Sequence, residues 1–398
     1  MTGGLLERSA SVVRLPQDLG EEPLALIERL GAELRGSSGL SLEIEAGPEP
    51  RGGAVVALLR LSGWKSEGET SSHGQRFRPR DPHLSLGRVR DSDQKALLGL
   101  FERAFGHPIT EAQWQWKYGG GRGHSILART ETGVVFAHYG ASARTLMDQG
   151  QRVEGLQVGD VMIDPSWQGP SGRSGPFFRL AAAFQTLFYD YHRDHRWAYG
   201  FPNARALRLA VRQRLYRPVD QILEVRWAPI QGFWAKRLEV IPRGAEVLET
   251  RRFQVLVEEM HQDLRDRLLV LRDPNYLRYR YLDHPCHRYP LLEVRHRLNR
   301  QSLGFAFIRQ EPERIRLMDV IGRIKHIPAI IEALRGAIQP HGDQPLEAWI
   351  TRGQEEFFGK GGTIRSTGLD IPCQVLRTPD GPSPDGRWWI SFGDTDFL

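Results

Sequence analysis

Residues 160–178 read DVMIDPSWQGPSGRSGPFF: an apolar run, an Asp-Pro step, and glycines at 169, 172 and 175 just before a second apolar run. Those residue types in that order suit phosphate chemistry. A helix N-terminus offers unpaired backbone N–H groups and the positive end of the helix dipole, and glycines let an anion approach without a Cβ in the way. Arg173 could add a charge-assisted hydrogen bond. A pyrophosphate would fit such a loop. The stretch is not a P-loop, because no Gly-Lys-Ser/Thr occurs, and it lacks the parallel strand-turn-helix setting of the dinucleotide fingerprint.

Other candidates lie nearby. Asp160 is a carboxylate in an otherwise apolar strand, suited either to taking a proton or to pairing with an arginine. Asn203, after Pro202, has the type and position of a helix N-cap, as does Thr110 before EAQWQWKY. Trp114, Trp116 and Tyr118 could wall an acceptor pocket or pack a helix end. His192, Asp194 and His195 share one short polar stretch at a helix end, and no metal site is expected there. The two cysteines, Cys286 and Cys373, are too few for a disulfide framework and lack metal-ligand spacing.

The elements that must position these residues follow from periodicity. Residues 91–105 form a helix with Leu97, Leu100, Phe101 and Phe105 on one face. SILAR, GVVFAHYGASART and GLQVGDVMI alternate as strands joined by turns. After the glycine loop come the helix FRLAAAFQTLFYDYHRD, the strand RWAYGF, the helix NARALRLAVRQRL and the strand VDQILEVRW. This order predicts an α/β (α+β) fold, a mixed and mostly antiparallel sheet flanked by helices.

A weaker copy recurs downstream. Trp116, Lys117 and Tyr118 match Tyr279, Arg280 and Tyr281, each trio leading into a loop and two strands, and the copy runs on through RIRLMDVIG, IPAIIEALRGAI and LEAWIT. It lacks the glycine loop. The expected organisation is a small N-terminal segment of unassigned role over 1–64, a linker over 65–83, one domain over 84–228, a linker over 229–252, and a second, degenerate domain over 253–398.

Element order and loop together resemble the GNAT superfamily, the acyl-CoA-dependent N-acetyltransferases, over 84–228 and more loosely over 253–398. The resemblance implies acetyl-CoA or another acyl-CoA as co-substrate, with no metal. It implies that the backbone of Met162 and Ile163 meets the thioester, that Gln168, Gly169, Ser171, Gly172, Arg173, Ser174 and Gly175 wrap the pyrophosphate, and that Asn203 and Ala206 open the next helix. Asp160 would be the base. Two departures stand out: counting from Gln168, the family's glycine positions fall on Ser171 and Arg173, and position 210 is alanine where many members carry a proton-donating tyrosine. Tyr216, six residues on, is expected to lie too far along to substitute. These departures leave a second reading open, a GNAT-like binding or scaffold module without catalysis.

Composition narrows the partners. The 398 residues, 40% apolar, exceed one ordinary core, and the formal charge of +6 is spread over scattered arginines instead of a dense basic run. Nucleic acid is therefore not the expected partner. No segment has the length and apolarity of a membrane span or a secretory leader, so a cytoplasmic protein is expected. The acceptor, an amine or amino sugar, is not legible, and neither is the oligomeric state.

Overall fold

The computed structural model describes residues 7–9, 12–15, 22–33, 41–44, 51–69, 75–79, 84–169, 171–192, 194–230, 237–338, 344–375 and 381–395. Near the N-terminus, β1 (Glu7–Ser9), β2 (Val12–Leu15), β3 (Ser41–Ile44), β4 (Trp64–Glu69) and β5 (Gln75–Pro79) form a small sheet in the order β1-β2-β3-β5-β4. Its helices α1 (Pro23–Glu33) and α2 (Arg51–Leu61) are not a separate body. Leu24, Ile27, Leu58 and Phe77 belong to the same apolar core as Leu86, Ile126, Leu180 and Phe184 further along.

The first main half contains β6 (Ser85–Arg88), α3 (Gln94–Phe105), α4 (Glu111–Tyr118), β7 (Gly123–Arg129), β8 (Val135–Asp148), β9 (Gln151–Ile163), α5 (Pro176–Gln185), β10 (Trp197–Gly200), α6 (Ala204–Arg212) and β11 (Tyr216–Trp227). Local chemistry sets several boundaries. Thr110 and Gln113 form a capping box at the start of α4, and Asn203 accepts from the Ala206 N–H at 2.9 Å to start α6. The β8–β9 hairpin turns through Gln149 and Gly150, both at positive φ, as a two-residue turn matched to strand twist requires.

The second half repeats the order: β12 (Leu238–Arg243), α7 (Arg251–Asp263), the short β13 (Leu268–Val270), α8 (Pro274–Leu277), β14 (Leu291–His296), β15 (Ser302–Gln310), β16 (Ile315–Gly322), α9 (Ile327–Ile338), β17 (Leu346–Thr351), α10 (Glu355–Phe358) and β18 (Thr363–Gln374). All but β13, which pairs with β8, lie on one path, β12-β14-β15-β16-β17-β11-β18-β10-β9-β8-β7-β6. The last strands are exchanged. β18 lies between β10 and β11, and β11 between β18 and β17, so each half closes on the other's final strand. Only β9–β10 and β16–β17 are parallel along that path.

The mixed, mostly antiparallel sheet expected from the sequence is present. Both stretches read as linkers contain strands: β4 and β5 fall largely in 65–83, and β12 falls in 229–252. Their polar, proline-bearing sequences hid them, and Pro242 is tolerated because β12 is the edge of the large sheet. No helix among the described residues is long and apolar enough to cross a membrane.

The exchange generates a prediction. A fragment of residues 84–228 lacks β18, which separates β10 from β11 in the full chain. It should lack a cooperative unfolding transition by circular dichroism and aggregate or stay expanded on size exclusion. A monomeric 84–228 fragment unfolding cooperatively would show that the exchange is dispensable.

Candidate active site

The parallel pair β9–β10 opens at one end. Its last rung is Val158 with Gly200, after which β9 runs on to Ile163. The parting coincides with a β-bulge: on β8, Tyr139 alone stands between His138 and Gly140, whereas on β9 both Asp160 and Val161 stand between Gly159 and Met162. Asp160 has φ of 49°, an uncommon conformation for a residue with a side chain. A cavity of about 650 Å³ fills the opening. Gly159, Asp160, Val161 and Ile163 form one wall, Phe201 to Asn203 with Ala206 and Ala210 the other, and α3 and α4 one end. His284, His287, Leu369 and Pro372 contribute from the second half, so the cavity belongs to both repeats.

The bulge is held by polar bonds that the sequence did not reveal. Lys117 Nζ is 2.6 Å from Asp160 Oδ2, and the Tyr118 hydroxyl donates to the same oxygen at 2.6 Å. The lysine and aspartate side chains are only 7% and 9% exposed, so this is a buried ion pair. His138 Nδ1 lies 2.8 Å from the Asp160 carbonyl oxygen, which can only accept, so Nδ1 carries the proton. Burial lowers the His138 pKa, and Nε2 is a buried atom with no hydrogen-bond partner among the described residues. Gly140 is required beside them: a Cβ there would come within 2.5 Å of the His138 ring and 2.7 Å of the Tyr118 hydroxyl.

The predicted site residues divide into three groups. Asp160, Ile163 and Asn203 line the cavity. The Met162 side chain points away from it, buried with Leu97, Leu100 and Trp114. Gln168, Gly169, Ser171, Gly172, Arg173 and Ser174 are exposed, and Gly175 is buried as the N-cap of α5; none of these lines the cavity. Gly172 has φ of 66° and opens a short 3-10 turn over Gly172–Ser174, followed by Pro176 at the first helical position. Arg173 rests over the Phe178 ring, 5.3 Å from its centre. Phe177, one residue past that proline, reaches the cavity and connects the loop to it.

Tyr216 is nearer than the sequence suggested. It lines the same cavity as Ala210 and accepts a hydrogen bond from the Tyr139 hydroxyl at 2.9 Å. Burial pushes its pKa up to about 12. His284 and His287 are not marked in the sequence, since they reach the cavity only because the segment after Tyr279 packs against Trp116 of α4. Lys117 has one signal in the sequence, the trio that it and Tyr118 share with Tyr279, Arg280 and Tyr281, and Tyr118 has a second as one of the three aromatic residues of that helix.

The second half carries a filled counterpart. β16 and β17 pair only at Ile315–Leu346 and Arg316–Glu347, then part beside a bulge at Met318. Tyr281 donates to Asp319 Oδ2 at 3.0 Å, the equivalent of Tyr118 and Asp160. Into that opening packs a single turn, Phe392–Asp394, with Phe392 stacked on Trp349 at 4.7 Å and Asp394 2.6 Å from Arg272, which also holds Asp319.

Comparison with solved structures defines the class of this architecture. A probable N-acyltransferase from Enterococcus faecalis V583 matches with a TM-score of 0.56 at 13% identity, over 74% of this chain and 73% of that one. GCN5-related N-acetyltransferases from Kribbella flavida (TM-score 0.53, 13% identity, 72% and 70% covered) and Anabaena variabilis (0.52, 15%, 74% and 72%) match similarly. No family model and no curated protein sequence matches the chain. The chain has the fold of the GCN5-related N-acetyltransferases.

The buried ion pair is testable. Lys117→Met leaves the Asp160 carboxylate buried without its cation, a change that costs about 3–5 kcal/mol where it has been measured. The melting temperature at pH 7 should fall by several degrees. Adding Asp160→Asn to Lys117→Met should recover much of the loss, because no buried charge is then left without its partner. A double variant as unstable as Lys117→Met would mean that Lys117 acts by packing alone.

Proposed function

We propose that the chain is an acyl-CoA-dependent N-acyltransferase, moving an acetyl or similar acyl group from coenzyme A to an amine. One observation carries the reading: β9 parts from β10 at a bulge, opening a cavity beside the N-terminus of α5. The pyrophosphate would sit against residues 169–175 and the first N–H groups of α5, with Arg173 swinging off Phe178 to meet it. The thioester would lie along β9 past its last rung with β10, its carbonyl polarised by the backbone of Met162 and Ile163.

In this mechanism the amine nitrogen attacks the thioester carbon, the carbon–sulfur bond breaks, and coenzyme A leaves as a thiolate that takes up a proton. The amine gives its own proton to Asp160, directly or through water. Lys117 and Tyr118 both engage Oδ2, which fixes the carboxylate and leaves Oδ1 to act. Residues 84–228 would hold the donor, and the unit beginning at β12 would supply the far wall through His284 and His287. Ala210 favours a second reading, a module that binds coenzyme A without turnover: it has no proton to give the thiolate, and Tyr216 holds its proton tightly.

Titration calorimetry with coenzyme A tests the donor site. Gly172→Asp should weaken binding by an order of magnitude or more, because it sets a carboxylate against phosphate, whereas Gly172→Asn should stay close to wild type. Position 172 has room for either side chain, and both types tolerate positive φ. No binding to wild type at millimolar coenzyme A would end the reading. Asp160→Asn should lower turnover about a hundredfold while leaving coenzyme A affinity nearly unchanged, with thiol release as the assay. A change of only a few fold would remove Asp160 from the proton path, and binding without release for any amine would favour the non-catalytic module.

A further inference from the structure

Much of the cavity lining is apolar, with Phe101, Phe105, Ile109, Trp116, Leu369 and Pro372 among its walls. Phe105 is 44% exposed, a high value for a large aromatic side chain, and its ring packs at a tilt against Phe101 at 4.7 Å. Such surface is left uncovered where an apolar ligand replaces water.

Trp116 is fixed in place. Its indole stacks on Tyr279 at 5.0 Å, its Nε1–H donates to the Tyr279 carbonyl at 2.9 Å, and the Tyr279 hydroxyl donates back to the Trp116 carbonyl at 3.1 Å. His284 packs against the same indole at 4.5 Å. This rigid aromatic surface is assembled from both halves of the chain, so little ordering is left for a ligand to impose.

Electrostatics point the same way. Asp160 is the one carboxylate among the described residues lining the cavity, and Lys117 already neutralises it. His284 and His287 add no negative charge and little positive. His284 Nδ1 accepts the N–H groups of Cys286 and His287, and burial with the nearby Arg280 lowers its pKa to about 3. Burial also lowers that of His287, with Arg309 and Arg280 adding to the effect. A polyamine entering here would lose its hydration and gain no counter-charge.

We infer that the acceptor is a monoamine carried on an aromatic or other flat apolar body, with no second cationic group. The inference rests on the acyl-transfer reading for the reaction, but the ligand preference of the cavity can be measured without it. Full-length protein is titrated calorimetrically with 2-phenylethylamine and with spermidine, first without and then with saturating coenzyme A. Thiol release from acetyl-CoA is then followed with each amine.

The aromatic amine should bind at least tenfold more tightly than spermidine and, where turnover occurs, show at least a tenfold higher kcat/KM. Leu369→Asp should shift that ratio toward spermidine by about tenfold or more, because it supplies the missing carboxylate, while Leu369→Asn should not. Trp116→Ala should raise KM for the aromatic amine more than it lowers kcat, and Trp116→Phe should restore most of the loss. Equal or tighter binding of spermidine, or binding of neither amine, overturns the inference. Failure to bind coenzyme A with the amine preference intact would instead overturn the acyl-transfer reading alone.

Discussion

The site depends on one backbone constraint, the bulge at Asp160 and Val161. A parallel pair as regular as β9–β10 has no space between its strands. The extra residue on β9 turns the strand away from β10 after the Val158–Gly200 rung, and everything that follows uses the gap. The strained φ of Asp160 persists because its surroundings over-determine it: His138 fixes the carbonyl, Lys117 and Tyr118 fix the carboxylate, and Gly140 leaves room for both. The lysine therefore has a dual effect. It stabilises the bulge, and it occupies Oδ2 of the carboxylate to which the proposed mechanism hands the proton.

The repeat gives an internal comparison. Both halves part their parallel strands at a bulge, on β9 and on β16, and both hold an aspartate there with a tyrosine hydroxyl. In the second half Arg272 is fully buried between Asp319 and Asp394, and the turn Phe392–Asp394 occupies the space that stays open in the first. Buried charges of this kind contribute specificity more than net stability, since each must find its partners before the segment can close. One opening is thus a cavity and the other part of the core. The exchanged strands β11 and β18 join the two, and β18 brings Leu369 and Pro372 to the edge of the first opening, while the packing of Tyr279 and His284 on Trp116 brings His284 and His287 there.

Local features were legible in the sequence, and non-local ones were not. The helix Ile327–Ile338 and the strand Leu346–Thr351 have the limits that their apolar patterns suggest, and Thr110 and Asn203 cap as their residue types dictate. Asp160 stands out in the sequence because a carboxylate is out of place in an apolar strand. The same is not true of its partner, because Lys117 reads as one basic residue in an aromatic helix until folding brings α4 across β9. The strand exchange left no local trace, since β11 and β18 have ordinary strand patterns whichever neighbour they take. The glycine loop was legible as a phosphate-binding pattern, but its distance from the cavity, bridged by Phe177, depends on where α5 packs.

The central claim is that the opening in the first half, and not its filled counterpart, receives coenzyme A. Amide hydrogen exchange with and without the free cofactor tests this residue by residue. The account predicts slowed exchange over 158–163 and 171–179, with no change over 315–322 or 346–351. Protection confined to the second half, or no protection in either half at saturating cofactor, would contradict it.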